Sequence, residues 1–196
     1  MGWWGHDILS GDGPLDLLGS FAETFGLDSD QLDIYPSGTL GDAAVRARIV
    51  AWFAGREHTT VADAVRTAAG WRTDAELAAT AAGPDGGHPD AELIEVLRHS
   101  QNVEATLAWQ VLAVIAMAAG ATLDPETMTR MADAGCDDEW AQDSLPRRAA
   151  IDRYLATLRD YDAAPTALAS ATIGDAFERA AAVGHTGLLN VDPELR

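Results

Sequence analysis

The chain has 196 residues, 47% of them hydrophobic, enough to bury a core without disulfide or metal staples. Thirteen basic residues, every one arginine, face 31 acidic ones, for a net charge of −18. That balance excludes DNA, RNA or an anionic lipid surface as the main partner, because phosphate recognition needs clustered cations. A single cysteine, Cys136, excludes an internal disulfide and a cysteine-built zinc site.

In chain order, Met1-Gly2-Trp3-Trp4-Gly5-His6-Asp7 lacks the basic and apolar regions of a signal peptide. His6 stands where a myristoylation motif needs Ser or Thr. The first predicted helix starts near Gly13-Pro14, with Leu15, Leu18, Ala22 and Phe25 on one face and Gly26 at its end. A loop follows, with a short extended piece at Leu32 to Tyr35. A second helix runs from Asp42 to Ala54 and turns Val45, Ile49, Trp52 and Phe53 inward. A third spans Thr60 to Gly70. Thr73-Asp74-Ala75-Glu76 is a capping box that opens a fourth helix, which stops at Gly83. Pro84 to Pro89 is rich in turn residues and marks a sub-boundary, although its length also suits an ordinary loop.

Asp90 to Arg98 reads as a short amphipathic helix through Leu93, Val96 and Leu97. Asn102 then caps a separate apolar helix carrying Leu107, Val111, Val114, Ile115 and Ala118. The apolar stretch Ala105 to Leu123 is long enough to cross a membrane, but it is alanine-rich and reads as a buried central helix. The expected location is therefore the cytoplasm. Asp124-Pro125-Glu126 begins a helix with Met128, Met131 and Ala132 inward and Gly135 at its end. Ser144 caps another that reaches Asp160, with Ile151, Leu155 and Leu158 on one side. A last helix covers Ile173 to Val183. The expectation is one compact all-α domain over residues 1–196, of about eight or nine helices with little or no sheet.

Signatures of catalysis are missing. Phosphate-binding loops, the nucleotide-binding glycine fingerprint and the nucleophile elbow do not occur. Glu57-His58 is not part of a zinc-protease motif, and the acidic loop at Asp28-Ser29-Asp30 has Leu32 and Asp33 where a calcium loop needs an oxygen ligand and glycine. His58, His88, His99 and His185 stand alone. Cys136, followed by Asp137-Asp138-Glu139, has the wrong electrostatic surroundings for a nucleophile.

The densest segment is the N-terminal one. His6, Asp7, Asp12 and Asp16 supply one imidazole and three carboxylates, a donor set that suits a divalent ion. Capping is the competing account. Asp12 before a helix and Asp16 in its first turn would satisfy amide groups and the positive end of the dipole. Trp3 and Trp4 read as a packed plug. Most of the six tryptophans are expected in the core, and an exposed one would mark a contact surface.

This opening resembles a bacterial family called domain of unknown function 4259, whose members begin M-G-x-W-G and carry spaced aspartates at the first helix. The residues that carry the resemblance are Met1, Gly2, Trp4, Gly5, Asp12 and Asp16, with Leu9 at the apolar position and Leu15 before the second aspartate. It extends over about the first twenty residues, and the helix from Ala43 to Ala54 looks like the family's next one. The resemblance implies no established catalytic residues, so Trp4, Gly5, Asp12 and Asp16 carry over as a structural motif. The second half of the chain exceeds the family's usual length.

Two functions from different classes follow. One is a non-enzymatic interaction module without cofactor that binds a basic protein, with self-association also open. The other is a metal-dependent hydrolase built on His6, Asp7, Asp12 and Asp16. The acidity itself has two readings, adaptation to a salty cytoplasm and recognition of a cationic partner.

Overall fold

A computed structural model describes residues 8–9, 12–32, 34, 40–83 and 87–163. Among the described residues it contains eight helices and no strand. They are α1 (Asp12–Phe25), α2 (Ala43–Phe53), α3 (His58–Ala68), α4 (Asp74–Ala82), α5 (Ala91–Ala119), α6 (Pro125–Cys136), α7 (Trp140–Asp143) and α8 (Leu145–Ala163). The all-α class expected from the hydrophobic period is the class observed. The helix expected at Ile173 to Val183, the plug at Trp3 and Trp4, and the turn residues 84–86 lie outside the described residues.

Aspartate and threonine side chains start four of these eight helices by accepting hydrogen bonds from amides that have no partner within the helix. Asp42 accepts from Ala44 at 2.7 Å and begins α2. Thr73 and Glu76 form the reciprocal capping box on α4. Asp124 accepts from Glu126 and Thr127, each at 3.0 Å, with Pro125 in the first turn of α6. The expected starts of α2, α4 and α6 are therefore met, whereas α3 begins at His58, two residues earlier than the sequence suggests.

The largest departure is α5. The two helices expected from Asp90 and Asn102 are one continuous helix of 29 residues, about 44 Å long. His99, Ser100, Gln101 and Asn102 include no glycine or proline, so nothing breaks the ladder. Asn102 lowers helix propensity by only a few tenths of a kcal/mol. Asp90 caps the start, accepting from Glu92 at 2.9 Å. Gly120 ends the helix at φ 78°, ψ 33°, a left-handed conformation that an L side chain resists.

Helices α1, α2, α3, α4, α6 and α8 all pack on α5. Its C-terminal half, Leu107 to Ala119, is buried on every face, so the one helix among the described residues that is long and apolar enough to cross a membrane lies in the core there. Alanines at 108, 113, 116 and 118 let neighbouring backbones approach closely. Phe25 of α1 meets Trp52 of α2 edge-on at 5.1 Å, extending this core toward the N-terminal helices. On the other side, Tyr154 donates to the carbonyl of Met131 at 2.7 Å and Tyr161 to that of Ala121 at 2.5 Å, fixing α8 against α6 and the end of α5.

Gly135 is the penultimate residue of α6, so the helix ends within one residue of the expected place, but the glycine keeps helical backbone and has a second role in packing. It lies inside α6 and is buried; a Cβ there would stand 2.7 Å from Leu155 Cδ2 and 2.9 Å from the Tyr154 ring. The glycine sets how closely α8 approaches α6.

Candidate functional site

Of the N-terminal donors, His6 and Asp7 lie outside the described residues, as do Trp4 and Gly5 of the structural motif. Asp12 is the first residue of α1, inside the helix rather than before it, and Asp16 is exposed four positions later. That spacing puts both carboxylates on one helix face. Asp12 suits the positive end of the dipole, while Asp16 lies beyond the first turn expected for it. Among the described residues, no group of three or more His, Cys, Asp or Glu side chains is arranged to hold a metal ion.

The structure instead brings together three constellations that sequence spacing does not announce. The first surrounds His58. Its ring lies on Trp109, 5.6 Å between centroids and 6° from parallel. Nδ1 is 3.4 Å from Thr127 Oγ1, and Nε2 is 4.0 Å from Glu126. The Thr127 hydroxyl donates to Asp124. Burial opposes ionisation of Asp124, but hydrogen bonds from Thr127 and Glu126 and the proximity of His58 hold its carboxyl below the usual range. A hydroxyl, imidazole and carboxylate in sequence have the elements of nucleophilic catalysis. Thr127 is fully buried, however, and its proton is committed to Asp124. The arrangement joins α3, α5 and α6, and its hydroxyl is closed off from solvent.

The second is a buried polar clasp. Arg147 of α8 is 1% exposed. Its Nη2 and Nε donate to Asp138 Oδ2 at 2.7 and 3.1 Å, and Nη2 also donates to Gln110 Oε1 at 2.9 Å. Gln110 donates in turn to Asp138 Oδ2 at 3.0 Å and to the Ala134 carbonyl at 2.8 Å. Asp138 Oδ1 accepts from the Ala141 amide at 2.9 Å. Burial pushes the Asp138 carboxyl up, and the Arg147 hydrogen bonds and charge more than reverse it, leaving it below the ordinary carboxylate range. The Arg147 guanidinium also lies 5.1 Å from the Trp140 ring centroid. Asp138 was expected as one of an acidic run beside Cys136, yet it turns inward because a desolvated guanidinium needs a counter-charge. Gln110, a polar residue within an apolar helix, was the only hint available in the sequence.

The third lies on the outer face of the N-terminal half of α5. Leu93, Val96 and Val103 are exposed, Val96 to 63%. Positions 93, 96, 100 and 103 follow helical spacing and form one stripe. Glu92 and Glu104 border it, and neither forms an ion pair among the described residues. Arg98 points elsewhere and is engaged by Asp74 and Glu95. On one flank α4 packs on α5, and the Arg72 amide donates to Gln101 at 3.2 Å, placing exposed Trp71 at the same level. On the other flank His99 pairs with Glu139 at 3.4 Å. The tryptophan expectation divides accordingly: Trp109 is core, Trp52 and Trp140 are half-buried, and Trp71 is at the surface.

Comparison with protein-family models, curated proteins and solved structures gave no match for this chain.

Proposed function

We propose that the protein is a non-enzymatic interaction module that binds a basic protein. The observation that carries this reading is the gathering of exposed apolar side chains, Trp71, Leu93, Val96 and Val103, around one half of α5 on a chain of net charge −18. Single exposed apolar residues are ordinary on any surface. A group of them bordered by carboxylates favours a cationic partner with an apolar core. The surrounding negative field would steer such a partner and weaken as salt rises. Affinity capture from the source lysate at moderate salt, followed by titration of the purified captured protein, tests this. The expected result is a stoichiometric complex with a protein of net positive charge. A chain that captures no such protein refutes the reading.

The second reading, metal-dependent hydrolysis at the N-terminus, draws on Asp12 and Asp16 sharing one face of α1. His6 and Asp7 would complete the ligand set, and the ion would activate water. Elemental analysis with calorimetric titration of divalent ions tests it, and the absence of binding at micromolar affinity would sink it.

A further inference from the structure

Resting on the interaction-module reading, we propose that the α5 stripe receives a basic amphipathic helix laid along it. Leu93, Val96 and Val103 supply the apolar contact, and Glu92 and Glu104 meet flanking arginines or lysines.

Geometry argues for a helix as the occupant. The stripe runs straight for ten residues of α5, about 15 Å, between the α4 flank and the His99–Glu139 pair. A straight apolar line of that length suits a helix laid lengthwise, as in helix-in-groove recognition. Charge argues for a basic one. Glu92 and Glu104 lack ion-pair partners among the described residues, and the Arg98 charge is taken up by Asp74 and Glu95. The same charges oppose a second copy of this chain, which would bring glutamates against glutamates. A contact of this length is smaller than a standard stable interface, so the expected affinity is roughly micromolar.

The test uses the full chain and a synthetic amphipathic peptide of roughly 18 residues, with leucines on one face and arginines on the other. A second peptide carries glutamates in place of the arginines, and a third scrambles the basic sequence. Titration calorimetry should show binding of the basic amphipathic peptide alone. The Leu93→Gln/Val96→Gln/Val103→Gln variant, checked for unchanged melting, should lose about tenfold or more in affinity. Glu92→Gln/Glu104→Gln should weaken binding several-fold and flatten its salt dependence. Leu145→Gln, at the most exposed large apolar side chain among the described residues and on another helix, should change nothing. Equal binding by the stripe variant overturns this inference and leaves the interaction-module reading standing. No binding of any basic peptide or captured protein removes both. A dimer in sedimentation that the stripe variant dissociates also overturns it, in favour of self-association. So does amide-exchange protection of residues 92–104 that deleting residues 164–196 relieves, which would mean that the chain covers its own stripe.

Discussion

Arg147 grips a single oxygen of Asp138 with two of its nitrogens, Nη2 at 2.7 Å and Nε at 3.1 Å, nine residues apart in the chain. The same oxygen accepts from Gln110 of α5, so one carboxylate atom joins the central helix to the start of α8. Every buried side-chain nitrogen and oxygen among the described residues has a partner.

Removing one member of this pair leaves the other charge buried and uncompensated. Arg147→Met is expected to destabilise the fold by about 3–5 kcal/mol, read from urea unfolding. Replacing Gln110, Asp138 and Arg147 together by apolar residues of similar volume should recover most of that loss. A triple variant no better than Arg147→Met would show that the clasp contributes more than mutual neutralisation.

The pH dependence has a definite sign. The Asp138 and Asp124 carboxyls are both held below their ordinary range in the folded state. Their contribution is complete above the unfolded carboxylate pKa, about 3.9, and fades as pH falls through the lower folded values. Urea midpoints should therefore drop on acidification below about pH 4, and Asp138→Asn should reduce the size of that drop. An unchanged acid limb in the variant would contradict the assignment.

Two glycines on helices should respond in opposite directions to alanine. At Gly135 the added methyl meets Leu155 and the Tyr154 ring, so Gly135→Ala should destabilise by about 1–3 kcal/mol despite its better helix propensity. Gly19 of α1 has nothing within 4 Å of a new Cβ, and Gly19→Ala should stabilise by up to about 1 kcal/mol. Thermal melting of both variants checks the pair, and the Gly135 outcome is the more telling because sequence alone assigns that residue to a helix end.

His58 covers the face of Trp109 at 5.6 Å. His58→Ala is expected to cost about 1 kcal/mol in lost stacking and to expose that indole to water, shifting its emission to the red. The contribution of Trp109 is isolated by repeating the measurement in a Trp109→Phe background. No spectral difference between the two backgrounds would contradict the stacking.

A net charge of −18 repels itself in the folded state. Raising KCl from low concentration to about 1 M shortens the screening length to roughly 3 Å and should raise the urea midpoint steadily. A flat response would remove salt adaptation as the reason for the acidity.

Local chemistry made much of this architecture legible in advance. Asp42, Thr73, Asp90 and Asp124 cap helices because a short oxygen-bearing side chain beside orphan amides acts within a few residues. The 3.6-residue apolar period likewise exposed the inward face of α2 at Val45, Ile49 and Phe53, whereas on α1 it caught Leu18, Ala22 and Phe25 but missed the buried Leu17 and Phe21. The seam between Arg98 and Asn102 was misleading, since an asparagine that can cap a helix can also sit inside one when the turns on both sides continue.

Residue type and near neighbours are enough to make this chain acidic, helical and punctuated by aspartate and threonine caps, since charge, period and capping act locally. It took the packing of the helices to bring Asp138 and Gln110 onto Arg147, to lay His58 on Trp109, to let Gly135 admit α8, and to leave Leu93, Val96 and Val103 uncovered. Those outcomes depend on which helices pack together, and desolvation and close approach act between residues far apart in the chain.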